Sequence, residues 1–297
     1  MIHSNKRKFV FTYEELACFF YIIMSTLTGL AIAHSDSTLY SENVRHIYVY
    51  IIFISLVMAF VCIVSSRPKW TIVALIPIVY ALITTLHTNF EVSGNAIFSA
   101  TYDALRLIGF LLLSPAGKRI VFQYFRQFLI IMSAIGIVCF MAYILSVPLP
   151  FIQVEYYTGA SNAQYINYYW LSFLFKEPGA VRLCGLFNEP GLFGTLLALV
   201  LCADGFDFRK KEIWIMFIAG CLTLSVAFFM ISFVFMIIKS KDKPGLMFIF
   251  IVIFVTLFFI LPMMPINSPF ISAFVQRLSF DNGQFAAINR STTFIDD

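Results

Sequence analysis

The chain has 297 residues, of which 60% are hydrophobic and 12% charged, and its mean hydropathy is +0.88. This number of polar side chains is too small to cover the surface of a soluble domain of this size. The composition therefore excludes a soluble globular fold and predicts an integral membrane protein. The net charge of +4 is distributed as membrane orientation requires and forms no nucleic-acid-binding face, so no nucleic-acid partner is expected.

Five apolar runs of spanning length occupy the first half of the chain. They lie at about 16–34, 47–65, 70–87, 96–114 and 127–147, each close to the ~20 residues that a helix needs to cross a bilayer. Basic residues cluster around Lys6, Arg67 and Lys118, in every second connection. The positive-inside rule therefore predicts five ordinary spans with a cytoplasmic N-terminus.

Two charged residues fall inside the fourth run. Asp103 and Arg106 are three positions apart, so they share one helical face. They could form an ion pair that offsets the cost of intramembrane charge, or Arg106 could face a substrate cavity. Both interpretations stay open.

An aromatic-rich segment follows the fifth run, and 148–189 is expected to form an outer loop. Its aromatic residues are Phe151, Tyr156, Tyr157, Tyr165, Tyr168, Tyr169, Trp170, Phe173 and Phe175. Tyr and Trp favour membrane interfaces, which predicts a helix lying on the membrane surface. Aromatic faces also suit the binding of sugar rings, and the two interpretations are compatible.

The stretch Arg182–Gly191 predicts a helix start with charged residues beside it. Asn188 is a good N-cap, and Pro190 suits a first helical turn because its missing N–H would be unpaired there anyway. The helix then runs to Ala203, roughly 22 Å against a hydrocarbon thickness near 30 Å. Asn188 and Glu189 should therefore line a recess, where the helix dipole favours an anion.

The apolar run Glu212–Ile238 poses a topological problem. As a single span it would place Lys239 and the lysines after it outside, against the positive-inside rule. Two half-length helices turning at 223–225 would return these lysines to the cytoplasm, and one long tilted helix is the alternative. A last span is expected at about 246–261.

These elements predict an all-α polytopic integral membrane protein with about seven full spans, a short helical hairpin and two outward-facing loops. Residues 1–297 are expected to form a single transmembrane domain, with the second outer loop at 266–297.

Basic residues in the two outer loops predict binding of a lipid-linked diphosphate. Arginine matches phosphate oxygens in two-point contacts and stays charged near lipid. A nearby carboxylate, Glu189 or Glu177, could accept a proton from an attacking hydroxyl. Alternatively, Glu189 only caps its helix and Arg182 only pairs with it.

The predicted site divides into two groups of residues. The predicted catalytic residues are Glu189, Arg182 and Arg290, and the predicted substrate-binding residues are Arg277, Asn188, Lys176, Glu177, Tyr169 and Trp170. No metal and no other cofactor is predicted.

Three segments resemble the O-antigen polymerase and O-antigen ligase family. RLCGLFNEPGLFGTLLALVL, which begins at Arg182, resembles the Arg, Gly, Phe, Asn and Pro pattern that opens a membrane helix in this family. LTLSVAFFMI resembles its Ser-containing helix start, and Arg277–Ser291, with RLSF and NRS, resembles its second outer arginine-bearing loop. Glu189 between Asn and Pro, and Val226 where an arginine often follows the serine, depart from the family pattern.

The resemblance implies a bacterial inner-membrane glycosyltransferase. Such an enzyme polymerises undecaprenyl-diphosphate-linked oligosaccharide repeat units into surface polysaccharide, O-antigen or capsule, at the periplasmic face. Its implied partners are the lipid-linked oligosaccharide, the lipid bilayer, a chain-length regulator and a flippase. A polymerase is favoured over a ligase by the Glu-Pro variant, and further helices are expected beyond Asp297. The alternatives are a transporter or flippase of lipid-linked glycans and a non-catalytic membrane scaffold.

Overall fold

A computed structural model describes residues 12–28, 42–65, 107–158, 161–169, 171–177, 180–187, 189–256, 260, 280–281 and 284–285. The chain divides into two compact units, Met1–Gln127 and Phe128–Asp297. The predicted span at 70–87, most of the span at 96–114, and the Asp103–Arg106 pair lie outside the described residues.

The first unit contains two long apolar helices that pack against each other, α1 (Tyr13–Thr28) and α2 (Glu42–Ser65). α1 begins with a capping box. The Thr12 backbone N–H donates to Glu15 Oε2 at 2.8 Å, and the Glu15 N–H donates to Thr12 Oγ1 at 3.2 Å. The two side chains thus satisfy N–H groups that have no partner within the helix.

The start of α3 (Pro115–Ile144) is also fixed by side chains. The Ser114 N–H donates to Glu14 Oε1 of α1 at 3.1 Å, and the Gly117 N–H donates to Ser114 Oγ at 3.1 Å. With 30 residues α3 is about 45 Å long. It therefore begins well before residue 127, where the sequence placed the fifth span.

A four-stranded antiparallel sheet follows α3 in the second unit. Its strands are β1 (Ile152–Thr158), β2 (Ser161–Asn167), β3 (Phe173–Glu177) and β4 (Ala180–Gly185), in the order β1-β2-β3-β4. The predicted surface helix in this segment is therefore wrong. Aromatic and β-branched residues favour strands, and here they form a sheet with residues buried on both faces.

Four helices follow the sheet. They are α4 (Pro190–Ala203), α5 (Lys211–Leu222), α6 (Val226–Lys239) and α7 (Pro244–Val255). α4 packs on α5, α6 and β4, and α6 also contacts α7. α5 ends and α6 begins around Thr223 and Leu224, so the helix break lies where the sequence predicts it. In the second outer loop the structure describes one short strand pair, β5 (Phe280–Asp281) with β6 (Gln284–Phe285).

The predicted fold class, all-α with seven full spans plus a hairpin, is wrong. Within the described ranges one helix, α3, is long and apolar enough to cross a membrane. α4 to α7 have 12 to 14 residues each, so they are about 18–21 Å long, well short of a 30 Å hydrocarbon core. Hydropathy locates apolar runs but does not give the length over which the chain is helical: α1 has 16 residues and α7 has 12, against the ~20 that a span needs.

Candidate functional site

Two stretches that are distant in sequence, 182–194 and 223–225, meet at one place in the second unit, which we name the junction. It consists of Arg182 on β4, the first turn of α4 from Glu189 to Gly194, and the α5–α6 turn, Thr223–Ser225. Arg182 Nε donates a hydrogen bond to the Thr223 carbonyl oxygen at 2.9 Å. Ser225 Oγ lies 3.5 Å from the Gly191 carbonyl oxygen, at the outer limit for a hydrogen bond.

Arg182 is only 3% exposed. It sits opposite Phe175 in the sheet register, on the sheet face that carries the Phe175–Tyr165 ring contact. Its guanidinium reaches the carbonyl of Thr223, the C-cap of α5, at the helix end where the dipole is negative and carbonyls lack helical partners. The structure therefore places this arginine where its charge stabilises a helix terminus.

The α5–α6 turn is built from its own side chains. Thr223 Oγ1 donates to the Gly220 carbonyl at 2.6 Å and accepts from the Ser225 N–H at 3.2 Å. Ser225 is the N-cap of α6, since its Oγ accepts from the Phe228 N–H at 3.3 Å. Leu224 between them has a φ of 48°, a left-handed backbone that is uncommon for a residue with a Cβ.

The predicted helix start at α4 is confirmed, but Glu189 occupies the N-cap position and not Asn188. A residue before proline is restricted to extended backbone, as an N-cap requires, so Pro190 at the first helical position fixes Glu189 as the cap. Glu189 has φ −137° and ψ 136°, and its side chain makes no capping hydrogen bond. The residue as a whole is partly exposed.

α4 approaches the turn very closely at Gly194. A Cβ on Gly194 would lie 2.6 Å from both Ser225 Cβ and Thr223 Oγ1, closer than a real Cβ atom can approach. A glycine at this point of α4 therefore lets the first turns of α4 and α6 lie side by side. By contrast, a Cβ on Gly191 would meet nothing within 4 Å.

Three helix ends thus converge at the junction. The N-termini of α4 and α6 each carry about half a positive charge, and the C-terminus of α5 carries about half a negative charge. With the Arg182 guanidinium and the Glu189 carboxylate, these ends leave the junction slightly positive. Such a place suits an anion beside a partly exposed carboxylate.

The other predicted site residues are not all brought to the junction. Lys176 pairs with Val181, the residue next to Arg182 on β4, so Lys176 and Arg182 belong to opposite faces of the sheet. Glu177 closes β3 opposite Ala180. Tyr169 lies in the β2–β3 connection, where half of its surface is exposed. Asn188, Trp170, Arg277 and Arg290 lie outside the described residues.

The sequence interpretation missed two residues of the junction. Thr223 supplies the carbonyl that Arg182 binds, and Gly194 permits the close contact. The sequence did contain a signal for Gly194. Two glycines, Gly191 and Gly194, lie near the start of an apolar helix, where alanine would favour the helix more.

Within the described part of the chain, no three His, Cys, Asp or Glu side chains lie close enough together to bind a metal ion. Comparison with known proteins gives no match, whether to a family model, to a curated protein or to a solved structure.

Proposed function

We propose that the protein is a bacterial inner-membrane glycosyltransferase that polymerises undecaprenyl-diphosphate-linked oligosaccharide repeat units at the periplasmic face. The observation that carries this proposal is the junction itself. Arg182 and the Glu189–Pro190 helix start lie in one segment that resembles the O-antigen polymerase and ligase family, the Ser225 helix start lies in another, and the two segments meet in space.

Glu189 is the residue best suited to act as general base. It is partly exposed, and it stands at the N-cap position of α4, where the helix N-terminus faces the junction. It would accept the proton of the acceptor sugar hydroxyl while that oxygen bonds to the anomeric carbon of the donor. The anomeric carbon–oxygen bond to undecaprenyl diphosphate breaks in the same step, and the diphosphate leaves with the bonding electrons.

The positive field of the junction would stabilise the leaving diphosphate. The N-termini of α4 and α6 supply fixed dipoles, and Arg182 adds a full charge behind the turn. Because Arg182 is buried, we assign it two roles: it holds the α5–α6 turn, and it contributes to the positive field of the junction. Direct two-point contacts with phosphate are assigned to Arg277 and Arg290, and contacts with sugars to Tyr169 and Trp170.

The membrane location is proposed on the apolar surfaces of the helices. α3 has the length and composition of a span, and large apolar side chains on α2 are exposed, among them Ile47, Phe53 and Ile54. Helices that are apolar on most faces are expected against lipid. Further proposed partners are a chain-length regulator and a flippase.

Complementation of a deletion strain with the full-length chain tests the proposal. Glu189→Gln should abolish long surface-glycan ladders while the protein accumulates at the wild-type level. Asp242→Asn is the matched control, because it removes an exposed carboxylate at the other end of the helices, and it should leave the ladders intact. Normal ladders with Glu189→Gln would remove Glu189 from the mechanism.

The deletion strain also separates polymerisation from transport. A missing polymerase leaves single lipid-linked repeat units on the outer leaflet, accessible to a glycosidase added to spheroplasts. A missing flippase leaves them on the inner leaflet, protected from the same enzyme. Protected repeat units would contradict the transferase proposal.

A further inference from the structure

Basic residues gather at the end of α4, α5 and α6 that is opposite the junction. We name this group the basic rim, and it comprises Arg209, Lys210, Lys211, Lys239, Lys241 and Lys243, all exposed. α4 and α6 run away from the junction and α5 runs toward it, so their far ends lie together. The Lys239 Nζ donates a hydrogen bond to the Gly205 carbonyl, which links the end of α6 to the α4–α5 connection.

Acidic residues offset part of this charge. Asp204, Asp207, Glu212 and Asp242 lie among the six basic residues, and Lys210 Nζ is 3.7 Å from Asp207 Oδ2. The rim therefore keeps a positive excess, although it is not a dense cationic patch.

An ordered aromatic cluster supports the rim. Phe206 is buried and contacts the rings of Phe208, Phe217 and Phe235. The Trp214 ring packs against Phe208 at an angle of 50°, with ring centres 4.8 Å apart, and its Nε1–H donates to the Phe208 carbonyl at 2.9 Å. Trp214 is nevertheless 49% exposed, so an oriented aromatic residue with a bound N–H stands at the surface.

Apolar surface begins directly beside the basic residues. Ile218, one helical turn after Trp214, is exposed. Val234 and Ile238, in the last two turns of α6 before Lys239, are exposed as well. A row of cations bordering exposed aliphatic side chains, with a tryptophan at the boundary, matches the layers of a bilayer surface, namely headgroups above hydrocarbon. An acidic protein or a nucleic acid would leave the aliphatic side chains in water.

We propose that the basic rim binds the headgroup phosphates of anionic phospholipids, with Trp214 at the level of the interface. This binding surface rests on the membrane location contained in the proposed function but not on the transferase chemistry. Basic side chains near an anionic leaflet contribute favourable energy individually, and the effect is screened by salt.

Fluorescence quenching of Trp214 by brominated lipids tests the proposal. Trp70→Phe with Trp170→Phe leaves Trp214 as the only tryptophan among the 297 residues. This variant is reconstituted into phosphatidylcholine bilayers that contain either brominated phosphatidylglycerol or brominated phosphatidylcholine. The expected result is a several-fold preference for phosphatidylglycerol that declines as salt is raised.

Charge variants assign the preference to the rim. Lys211→Gln and Lys241→Gln should each lower the preference, by at most about fivefold, the factor that one basic side chain near the surface can contribute. Lys211→Arg should preserve the preference for phosphatidylglycerol, and Glu212→Gln should raise it. These two variants are controls, because a misfolded protein would lose the preference in both. Equal quenching by the two lipids, or a preference that the glutamine variants leave unchanged, would overturn the proposal.

The readout is independent of glycan synthesis. If the ladders prove unaffected by Glu189→Gln while Trp214 still prefers phosphatidylglycerol, the transferase mechanism fails and the lipid surface stands. Quenching by neither lipid overturns the lipid surface whatever the ladders show.

Discussion

Arg182 illustrates how a charged side chain in an apolar protein can serve the fold before it serves chemistry. Its burial among Phe175 and neighbouring residues removes it from water, and a hydrogen bond to the Thr223 carbonyl is part of what compensates that loss. The sequence suggests a phosphate ligand or a partner for Glu189. The structure adds a third role, in which the arginine joins β4 to the α5–α6 turn.

Removing this arginine should destabilise the second unit. Arg182→Ala leaves the buried Thr223 carbonyl without this donor, and we expect a loss of about 2 kcal/mol in the free energy of unfolding. Arg182→Lys keeps the charge but lacks the planar guanidinium, so it should recover only part of the loss. Denaturant unfolding in detergent measures both variants.

Arg209→Ala is the matched control for this experiment. Arg209 is exposed, so its removal should change the free energy of unfolding by less than about 0.5 kcal/mol. An Arg182→Ala protein as stable as the Arg209→Ala protein would mean that the bond to Thr223 does not hold the turn.

Among the elements, α1 has the most completely defined start. The hydrogen bonds that Glu15 accepts from the Thr12 backbone and hydroxyl lower the pKa of this exposed carboxyl from its usual 4.5. A lowered pKa means that the carboxylate stabilises the folded state above about pH 4.5. This stabilisation is lost as the pH falls through the folded-state pKa.

The first turn of α1 should therefore fray in acid. Hydrogen–deuterium exchange of the peptide that covers residues 12–18 should speed up at pH 3.5 relative to pH 7, after correction for intrinsic rates. Glu15→Gln keeps an acceptor oxygen but cannot titrate, so it should remove this pH dependence. An identical acid response in Glu15→Gln would assign the fraying to other groups.

The contact between α4 and the α5–α6 turn depends on the missing side chain of Gly194. Gly194→Ala should cost about 1–3 kcal/mol through overpacking, despite the better helix propensity of alanine. Gly191→Ala in the same helix has open space and should be tolerated. Thermal unfolding of the two variants compares them, and equal transition temperatures would contradict the close contact.

The elements show which features local sequence can predict. The start of α4 and the break between α5 and α6 were both predicted, because Pro190 and the Thr223–Ser225 turn act over a few residues. The sheet was missed because its strands are rich in the same aromatic residues that mark a membrane interface. In the sequence only two residues separate β1 from β2 and β3 from β4, Gly159 and Ala160 or Pro178 and Gly179, and this spacing was the available signal for hairpins.

For the molecule as a whole, the sequence supplied composition but not the lengths of helices. Hydropathy identifies apolar runs but not where their helices end, and in the described part of the chain α1 and α7 are shorter than the runs that predicted them. The lengths of the short helix and of the hairpin predicted that Glu189 and Ser225 lie at one depth, but they did not predict the hydrogen bond from Arg182 to the turn. Contacts between β4 and a turn 41 residues later have no local signature.

The proposed orientation predicts opposite labelling of the two ends of the second unit. Tyr169→Cys should react with a membrane-impermeant maleimide in spheroplasts, whereas Lys210→Cys should react only after lysis. Both positions are exposed, and four of the six native cysteines are buried, so the wild-type chain gives the background. Labelling of both variants from the same side would contradict the proposed orientation.

Leu224 gives the junction a property of its own. Its left-handed backbone costs a residue with a Cβ about 1 kcal/mol, and the Arg182 hydrogen bond to Thr223 helps to hold the turn in this strained conformation. Without this hydrogen bond, Leu224 should relax and carry Ser225 away from Gly191, which would separate the starts of α4 and α6. The positive field that favours an anion would then exist only while the Arg182 hydrogen bond is formed.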